Sequence, residues 1–182
     1  MRRIRVALWG FGAMGSGIAR VLLGKQGVEI TGVCDLHPNR VGKSIFELLE
    51  IERGDQADVL IQEDIDAVLP KGGADVCIVA TDSFTRDVYP KLLRVIKSGI
   101  NVICTAEEMS YPAAKEPKLA AEIDRAAKEN GVTVLGTGIN PGLMMDLLAI
   151  CLSGCMTNVE KVTCKRVNSL SPFGPLVMRE QG

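Results

Sequence analysis

Gly10-Phe11-Gly12-Ala13-Met14-Gly15 follows an apolar run, Ile4-Arg5-Val6-Ala7-Leu8-Trp9, and leads into a segment with helical periodicity over residues 14–23. Twenty residues beyond Gly15 a second apolar run, Val28–Cys34, ends at Asp35. A strand, G-x-G-x-x-G, a helix, a second strand and then an acid make up the dinucleotide-binding fingerprint, and here every part stands in its expected context. Gly10 permits the tight strand-to-helix turn, Gly12 lets the backbone approach a pyrophosphate, and Gly15 lets the helix pack close to the sheet. The helix N-terminus then offers unpaired N–H groups and partial positive charge to the diphosphate. Phe11, Ala13 and Met14 complete the loop and are expected beside the cofactor with the glycines.

The pattern continues outward from this unit. Residues 41–53 read as a helix, 59–61 as a third strand and 65–69 as a short helix. Residues 74–80 are a nearly continuous apolar run of the kind buried on both faces of a parallel sheet. A helix over 87–97, a fifth strand at Asn101–Cys104, a helix over 118–128 and a sixth strand at 132–135 follow. Alternation of this kind predicts an α/β fold, a doubly wound parallel sheet with strand order 3-2-1-4-5-6, the Rossmann arrangement. The boundary falls at residue 140, with residues 1–140 as the dinucleotide-binding domain. Residues 141–182 are then a connecting helix (142–155), expected to be buried, and the start of a second α+β domain. That start includes a strand at 158–168 and a tail carrying Pro172, Gly174 and Pro175. One strand and a Pro-Gly-rich tail do not make a domain, so the second domain is expected to be truncated.

Composition narrows the function. Of 182 residues, 47% are hydrophobic and 24% charged, ordinary for a soluble globular protein. A net charge of −1 and only 4% aromatic residues argue against a nucleic-acid surface. No uninterrupted apolar stretch is long enough to span a membrane. The six cysteines include no C-x-x-C pair. Three of them, Cys34, Cys77 and Cys104, fall in apolar runs where cysteine acts as a small hydrophobe. Neither they nor His37, the single histidine, has the spacing of a metal site, and a reducing cytoplasm is the simplest setting.

In a doubly wound sheet ligands bind beyond the carboxyl ends of the strands. After the second strand, Asp35 suits the adenine ribose hydroxyls and so NAD. Arg40 either pairs with the 2′-phosphate of NADP or begins the next helix in solvent. After the fourth, Ala80, Thr81 and Asp82 suit a backbone passing near the nicotinamide-side ribose, or an N-cap for the helix that follows. After the fifth come Thr105 and two adjacent acids, Glu107 and Glu108. These acids either hold a cationic amine or act as a base, or they are helix-start acids favouring the macrodipole. After the sixth, Gly136 to Gly142 contains Gly138 and Asn140, and it either approaches the nicotinamide ring or simply turns the chain.

Taken together, residues 7–15, Ala80-Thr81-Asp82-Ser83, Glu107-Glu108-Met109-Ser110-Tyr111-Pro112 and residues 136–146 resemble the amino-acid dehydrogenases and reductases of the dihydrodipicolinate reductase-like group. Within that group the resemblance is to the 2,4-diaminopentanoate dehydrogenases, and it covers the front half of such an enzyme. It implies NAD or NADP as cofactor and a small-molecule amino-acid substrate. It further implies oxidative deamination of 2,4-diaminopentanoate at C4 to 2-amino-4-oxopentanoate and ammonia. Glu107 or Glu108 would supply a carboxylate for the amines, and the full-length form would associate into homo-oligomers through the second domain. Two alternatives stand beside it: dihydrodipicolinate reductase of lysine biosynthesis, whose paired-histidine signature is not found after His37, and a non-catalytic NAD(P)-binding module.

Overall fold

A computed structural model describes residues 2–70, 72–167 and 169. Among them the elements run β1 (Ile4–Trp9), α1 (Ala13–Leu23), β2 (Val28–Cys34), α2 (Ile45–Leu49), β3 (Ile61–Gln62), β4 (Val76–Val79), α3 (Thr85–Lys97), β5 (Asn101–Cys104), α4 (Pro117–Glu129), β6 (Val134–Gly136) and α5 (Leu148–Ser153). All strand pairs are parallel and the order is β3-β2-β1-β4-β5-β6, as the alternating pattern predicts.

Two apolar layers sandwich this sheet because successive strand residues face opposite sides. Ala7, Trp9, Cys77 and Val79 face Val88, Leu92 and Val95 of α3 and Ile123 of α4. Val6, Leu8 and Ile78 face the other way, with Ala19 of α1 and Ile45, Phe46 and Leu49 of α2. Cys34, Cys77 and Cys104 are buried within the strands. Their environment is apolar enough to raise the thiols of Cys34 and Cys104 to about 11 and that of Cys77 to about 12, burial being the main cause.

Several boundaries differ from the sequence expectation, each for a local reason. The helix expected over 41–53 is only Ile45–Leu49. Gly42 takes φ +78°, and residues 42–45 spend their backbone bonds on residues 59–61 instead: Gly42 N–H to Ile61 O at 2.8 Å, Ile61 N–H to Lys43 O at 2.9 Å, Ile45 N–H to Val59 O at 3.0 Å. That pairing also moves β3 from 59–61 to Ile61–Gln62. Strand β6 begins two residues later than expected, at Val134. Of the short helix at 65–69 a single 3₁₀ turn forms, Ile65–Ala67.

Beyond residue 138 the correction is larger. The helix expected over 142–155 forms from residue 143 to 153, as a wide turn that runs into α5 after the non-helical backbones of Asn140, Pro141 and Gly142, but it is not buried. Its apolar side chains, among them Leu143, Met144, Leu147 and Ile150, are exposed. The strand expected over 158–168 does not form in 158–167, which are irregular and exposed, with no strand among the described residues alongside to offer a ladder. Residue 168 and the Pro172-Gly174-Pro175 tail lie outside the described residues.

Candidate cofactor and active site

Register sets the site. Cys34, Trp9, Val79, Cys104 and Gly136 pair across β2, β1, β4, β5 and β6 as one row, so five strands end level. The ladder then runs one residue further: Gly10 N–H to Cys34 O and Ala80 N–H to Trp9 O, both 2.8 Å, and Thr105 and Thr137 N–H to Val79 O and Cys104 O, both 3.0 Å. Every loop singled out in the sequence leaves the sheet from this single edge.

The glycine loop fills its turn tightly. Gly10 has φ +100°, and a Cβ there would stand 2.5 Å from the Ala80 carbonyl oxygen. On Gly15 a Cβ would lie 1.9 Å from the Gly10 carbonyl oxygen, so the helix is pressed onto its own entry strand. Gly12 is different, since its Cβ position meets only Arg40 Nη1, at 4.0 Å. Gly12 also begins α1 without a side-chain cap and with no acid in the first turn, leaving the helix N-terminus electrostatically positive. A bare backbone, an uncapped N-terminus and a nearby guanidinium fit the diphosphate of a dinucleotide.

A cavity of about 730 Å³ opens in front of this loop, within the size range of small-molecule sites. Gly10, Gly12, Ala13, Met14, Asp35 and Arg40 line it, joined by Ala80 and Thr81 from the end of β4. Phe11 and Gly15 do not: the Phe11 side chain is in the core, and Gly15 is buried beneath Gly10. Asp82 stands just behind, accepting Lys91 Nζ and Thr81 Oγ1, each at 2.5 Å. Thr105, Gly138 and Asn140 sit at the β5–β6 end of the edge, outside this cavity.

Lys91 and Arg94 also line the cavity, and sequence reasoning missed both. Lys91 bonds Thr81 Oγ1 at 2.9 Å, and Arg94 Nε bonds Asp66 Oδ1 at 2.8 Å. Two cations three apart on one helix face were the available signal. Only the packing of α3 against β4 turns that face toward the nucleotide loop.

The two adjacent acids part company. Glu108 accepts the Thr85 N–H at 2.9 Å and an ion pair from Lys115 at 3.1 Å. The Thr85 N–H above all, against opposing burial and with help from Lys115, holds its carboxyl below the usual range. Glu108 is thus the cap of α3, whose own N-cap residue, Phe84, cannot supply one. Glu107 is half-buried, and its side chain has no hydrogen bond or ion pair among the described residues. Its turn, Glu107–Ser110, is wedged against β6: a Cβ on Gly136 would stand 1.8 Å from the Met109 carbonyl oxygen.

This geometry agrees with the comparisons. Residues 143–182 match the 2,4-diaminopentanoate dehydrogenase C-terminal domain. A 2,4-diaminopentanoate dehydrogenase of Acetoanaerobium sticklandii is 53% identical over all 182 residues, which span 51% of that relative. Among solved structures, an amine dehydrogenase from Mycobacterium smegmatis superposes with a TM-score of 0.77 at 34% identity, covering 86% of this chain and 45% of that one. GenD2 from gentamicin A biosynthesis, in complex with NAD, gives 0.57 at 25% identity, covering 75% and 34%. The chain spans about half the length of the curated relatives it matches. Residues 4–137 match the oxidoreductase family with an NAD-binding Rossmann fold, the same span that carries the glycine loop, the level strand ends and the cavity, and the chain belongs to that family.

Proposed function

We propose that this chain is the cofactor-binding half of an NAD(P)-dependent dehydrogenase that oxidatively deaminates a small diamino acid, with 2,4-diaminopentanoate as substrate. The observation that carries it is the shared sheet edge. A dinucleotide cavity at β1, β2 and β4 and Glu107 at β5, a carboxylate without a partner among the described residues, leave the same row of strand ends. When bound, NAD(P)⁺ supplies the hydride acceptor for the C4–H of the substrate. The α1 N-terminus and Gly12 hold the diphosphate, while Thr81, held by Asp82, faces the ribose beyond it. Glu107 holds the C4 ammonium and takes its proton as the amine is oxidised. Water then adds to the resulting imine carbon, and ammonia leaves to give the 4-oxo product. Glu108 holds α3 and the turn that presents Glu107.

A chimera tests the substrate. Residues 1–182 joined to the remaining half of the Acetoanaerobium sticklandii relative should form NADH from NAD⁺ and 2,4-diaminopentanoate, followed at 340 nm. A folded chimera that binds NADH but does not oxidise this diamine overturns the substrate assignment.

A further inference from the structure

A carboxylate at the end of β4 is an unfavourable neighbour for an anionic cofactor, and Asp82 stands there beside Thr81, which lines the cavity. Lys91 meets it from the middle of α3. Its Nζ donates to Asp82 Oδ2 at 2.5 Å and to Thr81 Oγ1 at 2.9 Å, and Thr81 Oγ1 lies 2.5 Å from Asp82 Oδ2. Chemistry fixes the donors in this triangle. A carboxylate only accepts and an ammonium only donates, so the Thr81 hydroxyl gives its proton to Asp82 and takes one from Lys91. One lone pair is left, and it can accept from a ribose hydroxyl but not from an ionised phosphate, which has no proton to give. The Thr81 methyl is set against the glycine loop, 3.0 Å from the Cβ position of Gly10.

The other cations that line the cavity are committed elsewhere. Arg40 is on Asp35, and Arg94 is on Asp64 and Asp66. The Arg94 pairs are exposed, whereas the Lys91 and Asp82 side chains are only 28% and 25% exposed, so water and salt screen the Lys91 pair less. The far end of the loop is tied separately. The Glu108 N–H donates to Ser83 O at 3.2 Å, and the Thr85 N–H donates to the Glu108 carboxylate at 2.9 Å. Loss of Lys91 therefore acts on Thr81 and Asp82 and leaves residues 83–85 held.

Resting on the cofactor reading of this cavity, we propose that Lys91 is a positioning residue for the cofactor. It cancels the charge of Asp82 and fixes Thr81 Oγ1 as the acceptor for a ribose hydroxyl. The test is a fluorescence titration of the 182-residue chain with NADH, in the wild type, Lys91→Met, Asp82→Asn and the double variant. Lys91→Met should weaken NADH about tenfold, the worth of a charge-assisted hydrogen bond. Asp82→Asn should tighten it about threefold, because a part-exposed negative charge is gone while Lys91 still holds Thr81. The double variant should return to within about threefold of wild type. Raising salt from about 0.05 to 0.5 M should narrow the gap between Lys91→Met and wild type. A lysine that only packs α3 against β4 would show neither the rescue nor the salt effect. A double variant as weak as Lys91→Met overturns the proposal, as does Lys91→Met at wild-type affinity. If Lys91→Met fails to fold, Asp82→Asn decides: unchanged or weaker NADH binding overturns the proposal. A folded wild-type chain that binds no NADH fails the underlying cofactor reading instead, and the proposal with it.

Discussion

The Thr85 N–H donates to the Glu108 carboxylate at 2.9 Å, tying the first turn of α3 to the loop after β5 across 23 residues of sequence. Glu107, one residue earlier, has no such tie. The pair therefore divides into a structural acid and an available one. Glu108→Ala should cost about 1 kcal/mol of stability, the typical worth of an N-cap, read as a lower midpoint in urea. Glu107→Gln should stay within about 0.5 kcal/mol of wild type, as an uncommitted site does. In the chimera, Glu107→Gln should abolish amine oxidation while leaving NADH affinity intact.

The glycines of the loop should separate in the same way. On Gly15 an added methyl meets the Gly10 carbonyl oxygen at 1.9 Å, backbone against backbone, with no flexible side chain to yield. Gly15→Ala should therefore destabilise the domain by about 2 kcal/mol or more, seen in the thermal midpoint. Gly12→Ala meets no protein atom closer than 4.0 Å. It should melt near wild type and lose NADH affinity, because its methyl occupies the path of the diphosphate. Equal melting temperatures for the two variants would contradict this division.

At the opposite end of the sheet, Asp75 accepts Arg5 Nη2 and the Arg5 N–H, both at 2.9 Å, with Arg2 also in contact. The hydrogen bonds from the Arg5 side chain, then from its backbone, hold the Asp75 carboxyl well below the usual range. A carboxyl depressed in the folded state contributes stability above its unfolded pKa of about 3.9, and that contribution is lost as pH falls through the folded value. Stability should thus decline with acid below about pH 4, and Asp75→Asn should flatten that part of the profile. A variant with the same slope as wild type would remove Asp75 from the acid response.

The cysteines predict a simple count. Cys151, Cys155 and Cys164 are exposed, whereas Cys34, Cys77 and Cys104 are buried with thiols raised to about 11 or 12. A disulfide reagent at neutral pH should modify three thiols quickly and the other three only after denaturant is added. A fourth fast thiol would mean that the sheet opens at one of the buried positions.

Much of this molecule is legible where the information is local. Strands β1, β2 and β5 fall on the residues their apolar runs mark, since the buried positions of a parallel strand are apolar. The glycine loop is readable in part for a related reason: Gly15 answers to the Gly10 carbonyl, five residues before it. Long-range pairing is not legible in that way. Helix α2 is short because residues 42–45 bond to residues 59–61, which no periodicity within 41–53 records. Likewise, Asp35 stands where the fingerprint expects it, but one of its oxygens accepts the N–H of Phe11, 24 residues earlier. Lys91 and Arg94 look like the solvated face of an amphipathic helix until α3 is set beside β4. The apolar residues of 143–150 read as buried, yet Leu143, Met144, Leu147 and Ile150 are exposed.

The central claim is that the level strand ends and the glycine loop form a dinucleotide site. Its most direct test is a titration of the folded 182-residue chain with NADH, followed by nicotinamide fluorescence. The account predicts saturable one-to-one binding that ADP competes away and Gly12→Ala weakens. A chain with a cooperative thermal transition and no saturable NADH binding would contradict it.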